Sequence, residues 1–152
     1  MTALEKLRGW IATFPGHDIL SDFRVDYTDQ IPNNGGVFPS GLVEIERTRD
    51  IVGNAKVQNQ YNFGLYYVFA KSPGDDAGAV INADWIADFQ MWVQEQSATG
   101  LAPVFGDVPA EEVIAAQNGT MYETDEEGAA TYMVQLSVTF IKKYEVMNKW
   151  LI

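Results

Sequence analysis

The 152 residues carry 21 acidic and 10 basic side chains, a net charge of −11, with 47% hydrophobic residues and no cysteine. That length fits one domain with its own core, and the apolar content excludes a disordered chain. The missing cysteines exclude disulfides, thiol catalysis and cysteine-ligated zinc, and the acidic balance argues against a surface that gains affinity for phosphate by counterion release.

The N-terminal stretch MTALEKLRGW holds Glu5 and lacks the continuous apolar core of a signal peptide, and no segment approaches the ~18 apolar residues of a membrane span. A soluble protein made in the cytoplasm is the expectation. Thr2 followed by Glu5 matches a capping box, and Leu4, Leu7, Trp10, Ile11 and Phe14 share one face of a first helix that Pro15-Gly16 stops. Phe23, Val25 and Tyr27 then alternate with Asp22, Arg24 and Asp26, the pattern of a half-buried strand. From Ile31 to Gly41 the breakers Pro32, Asn33-Asn34, Gly35-Gly36 and Pro39 predict a long surface loop.

Leu42 to Asp50 resumes a strand, with Val43 and Ile45 on one side and Glu44 and Glu46 on the other, and Ile51 to Asn54 can turn the chain. Between Val57 and Phe69 every second residue except Asn59 is apolar or aromatic. Such a strand spans roughly 40 Å, against the usual about 5–6 residues. The two strands predict a hairpin with unequal arms, its end near Val57, Asn59 and Tyr61 projecting from the fold and covered by another subunit.

Ser72-Pro73-Gly74-Asp75-Asp76 opens a second helix of about 20 residues, in which Ile81, Trp85, Ile86, Phe89, Trp92 and Val93 form a broad buried stripe, and Gly100 with Pro103 closes it. Val113 and Ile114 read as a short strand turning at Asn118-Gly119, and Asp125-Glu126-Glu127-Gly128 as a further turn. In the last strand Tyr132, Val134, Leu136, Val138 and Phe140 point one way, and Thr131, Gln135, Ser137 and Thr139 the other. The tail from Glu145 to Ile152, with Val146, Met147, Trp150, Leu151 and Ile152, lies beyond the core of residues 2–144 as an interaction arm. These elements predict a single α+β domain over residues 1–152, a mixed and mainly antiparallel sheet with a long projecting hairpin, packed by two helices.

Each chemical signal has a structural rival. His17, the single histidine, follows a helix stop and would need distant partners to form a metal cluster or a triad with Ser21. Asp75-Asp76 and Asp125-Glu126-Glu127 lack the alternating ligand spacing of an EF-hand loop, and Asn118-Gly119-Thr120 reads as a hairpin turn before a glycosylation site. Gly35-Gly36 has neither the strand-to-helix setting nor the Lys-Ser/Thr ending of a phosphate loop. The aromatics of the long strand could stack bases, but Glu44 and Glu46 lie on its neighbour, which favours packing. No catalytic, cofactor or metal site is expected, and the chain is not read as an enzyme. The candidate subunit interface comprises Arg47, Arg49 and Asp50, which can form ion pairs between subunits, with Val57, Asn59, Tyr61 and Trp150.

In this order the elements resemble the tail-terminator and neck proteins of tailed bacteriophages, most of all the minor capsid or tail-completion proteins carried by prophages of Gram-positive bacteria. The resemblance covers about Thr2 to Tyr144. It rests on Trp85, Ile86, Phe89, Trp92 and Val93, on Pro103-Val104-Phe105-Gly106, and on Val134 to Tyr144 ending in Lys142-Lys143-Tyr144. It implies a subunit that assembles with itself into a ring, commonly a hexamer, which caps the tail tube protein and docks to the head–tail connector. DNA would pass through the lumen without specific binding, and no membrane would be involved. The protein would act in the host cytoplasm during assembly and in the virion afterwards. Alternatives remain open: another phage neck or minor capsid adaptor, a module that binds a peptide or protein without catalysis, and last an enzyme, for which the sequence shows no clustered polar residues.

Overall fold

Alternation places Val57, Asn59, Tyr61, Phe63, Leu65, Tyr67 and Phe69 on one face of a single strand, and that strand is the middle one of a five-stranded sheet. In the computed structural model, residues 2–20, 22–25, 33–70, 76–124 and 128–147 are described. The elements are α1 (Ala3–Ile11), a 3-10 turn (Pro15–Ile19), β1 (Asp22–Val25), β2 (Asn34–Arg49), β3 (Ala55–Ala70), α2 (Asp76–Ala98), a second 3-10 turn (Pro109–Glu111), β4 (Val113–Thr124) and β5 (Ala129–Tyr144). The sheet order is β1-β2-β3-β5-β4. β1 runs parallel to β2 and every other neighbouring pair is antiparallel. The chain is thus an α+β protein with a mixed, mainly antiparallel sheet, a long β2–β3 hairpin and two packing helices.

Both helices lie on the face that carries the β3 row. In α1 the capping box forms: the Thr2 hydroxyl accepts from the Glu5 amide at 3.2 Å while the Glu5 carboxylate accepts from the Thr2 amide at 3.4 Å. That start aims Leu7, Trp10 and Ile11 inward, followed by Phe14. α2 contributes Ile86, Phe89 and Val93, with Trp85 and Trp92 half-buried beside them. Trp10 stacks on Trp92 at 4.9 Å, and Phe14 meets Trp85 edge-on at 5.4 Å. The indole N–H groups are also used, since Trp85 donates to the Gly16 carbonyl at 3.0 Å and Trp10 to Gln96 Oε1 at 3.1 Å. Opposite these rings stand the buried β5 residues Tyr132, Val134, Leu136, Val138 and Phe140, in register with β3. Past Ala98 the chain stops coiling where Gly100 takes φ 76°, and the Leu101 and Ala102 amides cap the Gln96 carbonyl.

Several sequence expectations are corrected. Residues 34–41 are not a surface loop but the first half of β2; Ile31 and Pro32 lie outside the described residues. The breakers there serve the sheet. A Cβ on Gly35 would stand 2.8 Å from the Phe23 ring, 3.1 Å from the Tyr67 ring and 3.2 Å from the Tyr66 carbonyl oxygen, so only glycine lets β2 lie under them. Pro39 falls at a register shift on an outer strand, where a missing N–H is tolerated.

The hairpin arms are equal, each of 16 residues. Nor does the end near Val57, Asn59 and Tyr61 overhang uncovered, because β5 pairs with β3 along its whole length, from Ala55 opposite Tyr144 to Ala70 opposite Ala129. Asn118-Gly119 does not turn the chain. Asn118 takes φ 57° inside a register shift between Gln117 and Thr120, and β4 runs on to Thr124. Ile81 is 68% exposed, on the far side of α2 from the sheet, and Thr131 is buried where Val68 faces it. Residues 125–127 lie outside the described residues, as does Asp75.

Replacing Gly35 with alanine is expected to destabilise the protein by about 1–3 kcal/mol through overpacking against Phe23, Tyr67 and the Tyr66 carbonyl. Urea denaturation checks this; a midpoint equal to wild type would show that the strand can shift without cost.

Candidate subunit interface

A sheet ends in two edges whose backbone groups need partners, and here the two edges are treated oppositely. On the β4 side, α2 reaches over the edge: Ser97 Oγ accepts from the Ile114 amide at 3.0 Å, and Gln90 Nε2 donates to the Ala116 carbonyl at 3.0 Å. Because β4 begins opposite Thr139, the rest of β5 would be bare there, and the link after α2 covers it. Asp107 donates its amide to the Ile141 carbonyl at 2.7 Å, and its carboxylate accepts from the Lys143 amide at 2.8 Å. That amide holds the Asp107 carboxyl below its ordinary value, aided by the charge of Lys142. Glu112 fixes the link by accepting from the Phe105 and Gly106 amides at 2.8 and 2.9 Å.

The β2 side differs among the described residues. β1 pairs only with Asn34 to Val37, and among the described residues no strand lies outside β2 from Phe38 to Arg49. Every residue from Pro39 to Val52 is exposed. Leu42, Val43, Ile45, Ile51 and Val52 are each about half exposed or more, with Ile51 wholly so at 104%. Pro39, the two register shifts at Pro39/Gly41 and Glu44/Glu46, and the charges of Glu44, Glu46, Arg47 and Arg49 discourage indiscriminate strand pairing. Such an edge rejects casual partners while keeping apolar side chains in view.

The hairpin tip is built rigidly. The Asp50 carboxylate accepts from the amides of Val52 and Asn54 at 3.0 and 2.9 Å, Arg49 donates to the Gly53 carbonyl at 2.8 Å, and Gly53 supplies φ 93°. Asn54 Oδ1 in turn accepts from the Val146 amide at 2.9 Å, which ties the segment after β5 to the tip.

The structure separates the residues expected at the interface. Arg47, Arg49 and Asp50 lie on the exposed arm and tip, but Arg47 is paired with Glu44 of the same chain at 2.6 Å and Asp50 organises the turn. The Glu44 carboxylate raises the Arg47 pKa through that hydrogen bond and its charge. Val57 and Asn59 are buried, 4% and 6% exposed, on the floor of a groove of about 400 Å³ walled by Leu42, Tyr144, Val146 and Met147. Tyr61 is half-buried and stacks on Phe140 at 5.2 Å. Trp150 lies outside the described residues. The edge bonds at Ile114, Ala116 and Lys143 were not legible in the sequence, because they join residues 17 to 36 positions apart with no spacing rule.

Among the described residues three buried polar atoms lack hydrogen-bond partners: Arg8 Nε, His17 Nε2 and the Tyr67 hydroxyl. His17 stands edge-on to Phe23 at 4.9 Å and to Tyr67 at 6.2 Å. Burial pushes the His17 pKa down to about 4 and the Tyr67 hydroxyl up. The glycine pair Gly35-Gly36 is buried strand. Among the described residues no group of three or more His, Cys, Asp or Glu side chains is placed to hold a metal ion, and no helix is long and apolar enough to cross a membrane.

No protein-family model matches the chain, and no curated protein matches its sequence.

Two predictions follow from the buried pair. The unfolded chain binds a proton at His17 near the ordinary value of about 6.5 while the folded one resists it until about 4, so stability is full above pH 6.5 and falls as pH drops toward 4. The slope reaches up to about 1.4 kcal/mol per pH unit, and His17→Phe should flatten it; an unchanged slope in that variant would assign the acid sensitivity elsewhere. Tyr67→Phe removes an unsatisfied hydroxyl without changing shape, so it is expected to be neutral or to stabilise by up to about 1 kcal/mol. Thermal melts at neutral pH check this, and a loss of more than that would mean the hydroxyl is bonded.

Proposed function

We propose that this chain is a structural virion protein, a tail terminator whose copies form a ring that caps the tail tube and docks to the head–tail connector of a tailed phage. The observation that carries the reading is the asymmetry of the sheet among the described residues: α2 and the 105–107 link bond Ile114, Ala116, Ile141 and Lys143 at one edge, while at the other no strand lies outside β2 from Phe38 to Arg49, beside a rigid apolar hairpin. A subunit meant to act alone has no use for an exposed Leu42, Val43, Ile45, Ile51 and Val52. Strands of 16 residues give a plate about 50 Å tall, the kind of wall that can join two docking faces.

The net charge of −11 suits a conduit, because phosphate finds little to hold it. The middle of the sheet face away from the helices adds to this with the uncharged Gln60, Asn62, Gln135 and Ser137. In this role the protein has no catalysis and no cofactor. It works in the host cytoplasm during assembly and in the mature virion. Its partners are its own copies, as a hexamer, with the tube protein on one side and the connector on the other. The open β2 edge equally favours a second reading, a neck adaptor or a module that takes an extended peptide by strand addition.

Light scattering on the purified protein is expected to give a closed oligomer, for a hexamer about six times the 16.9 kDa subunit, and negative-stain microscopy a ring with a central hole. A strict monomer at high micromolar concentration would overturn the ring and leave the adaptor reading.

A further inference from the structure

The β3 row that faces the helices divides into two parts. From Tyr61 to Phe69 it packs in the apolar cluster under α1 and α2, whereas Val57 lies outside that cluster. Toward the hairpin tip, Val57 and Asn59 form the floor of the groove of about 400 Å³, and the segment after β5 walls it with Val146 and Met147 opposite Leu42. That cover is incomplete, because Leu42 is 53% and Met147 76% exposed. The floor also holds a polar group without a partner. Asn59 is 6% exposed, yet among the described residues its side-chain amide makes no hydrogen bond, although it has N–H donors and an oxygen to use. Burying such a group unbonded costs free energy, so the groove suits an occupant that brings backbone polarity and apolar side chains together.

We propose that residues 148–152 of the same chain, Asn148-Lys149-Trp150-Leu151-Ile152, occupy this groove. The chain is already led to it. Met147, the last described residue, belongs to the wall, and the Val146 amide before it is held by Asn54 Oδ1 at 2.9 Å. The Val146 side chain lies 3.4 Å from where a Cβ on Gly53 would stand, so the segment is fastened at the tip just before residue 148. The length fits as well. Five residues reach at most about 17 Å, and the groove spans β5 to β2, two strand spacings or about 10 Å. Chemistry matches in both respects. Trp150, Leu151 and Ile152 supply apolar side chains for Leu42 and Val57, while their peptide groups supply the donor and acceptor that the Asn59 amide lacks. Tethering settles whose segment it is, because a segment joined to the groove wall meets the groove at a far higher effective concentration than one from a second molecule.

The chain has no cysteine, so an introduced pair reports proximity in the full-length protein. Leu42→Cys is combined in turn with Trp150→Cys, Leu151→Cys and Ile152→Cys. Val80→Cys, exposed on α2 near the Asn82 that bonds to the Ala70 carbonyl at the far end of β3, serves with the same three as the distant control. Under mild oxidation at least one Leu42 pair is expected to lose both thiols to alkylation while still running as a single subunit on a non-reducing gel, and the control pairs to keep theirs. Asn59→Leu, added to the pair that closes, should lower the yield; Asn59→Ala takes its place if circular dichroism shows that the larger side chain disturbs the fold. Free thiols in all three Leu42 pairs overturn the proposal, as do equal closure in the controls and a yield indifferent to Asn59. A bond between chains, seen as twice the subunit mass, overturns docking within one chain and puts the segment in the groove of a second copy. The ring stands or falls separately, on light scattering of the unmodified protein.

Discussion

The pairing of β3 with β5 along their full length is the interaction on which the rest depends. Sixteen residues on each strand satisfy their inner backbone groups against one another, and the alternating rows they expose toward the helices become one apolar surface. That surface needs a cover, and α1, α2 and the turn after α1 supply it with Leu7, Ile11, Phe14, Phe89 and Val93. Fully burying such a side chain is worth about 1.5–3 kcal/mol each. The helices are therefore held by the sheet, and the sheet is kept in register by the helices, since a slip by one residue would turn the whole row to water.

The aromatic centre shows which effect wins locally. Tyr67 is fully buried and its hydroxyl is unpaired, a cost of about 1–3 kcal/mol. Against that stand ring contacts with Phe23, Phe69, Trp85 and Phe89, worth about 0.5–1.5 kcal/mol each beyond burial. Packing prevails, and the same cluster encloses His17, which keeps it neutral. Gly35 is part of this arrangement, because a side chain there would hold Phe23 away from Tyr67.

Treating the two edges differently gives the subunit a direction. Side chains of α2 and the Asp107 link bond edge groups at Ile114, Ala116, Ile141 and Lys143, whereas among the described residues no strand pairs with the outer side of β2 beyond Val37. Directionality of this sort suits a component of a closed assembly. The bulges, Pro39 and the charged pair Glu44–Arg47 on the open arm favour a chosen partner over aggregation.

Local patterns determined much of this in advance. The capping box at Thr2, the β3 and β5 alternations, the Gly53 turn and the stripe of Ile86, Phe89 and Val93 follow from spacing and side-chain type, which act within a few residues. What spacing could not reveal was the use made of breakers and ends. Gly35-Gly36 read as a loop because glycine is flexible, and became buried strand because Phe23 and Tyr67 close over it. Asn118-Gly119 read as a turn and became a bulge. Val57 and Asn59 read as an overhang and became the floor of a groove, because the end of β5 and Val146 fold back to them. The sequence by itself determined the two helices, the alternating faces of β3 and β5 and the turn at Gly53, because those signals act within a few residues. Only the tertiary structure decided which edge groups α2 and the Asp107 link bond, since that depends on hydrogen bonds between residues brought together by packing and not by order along the chain.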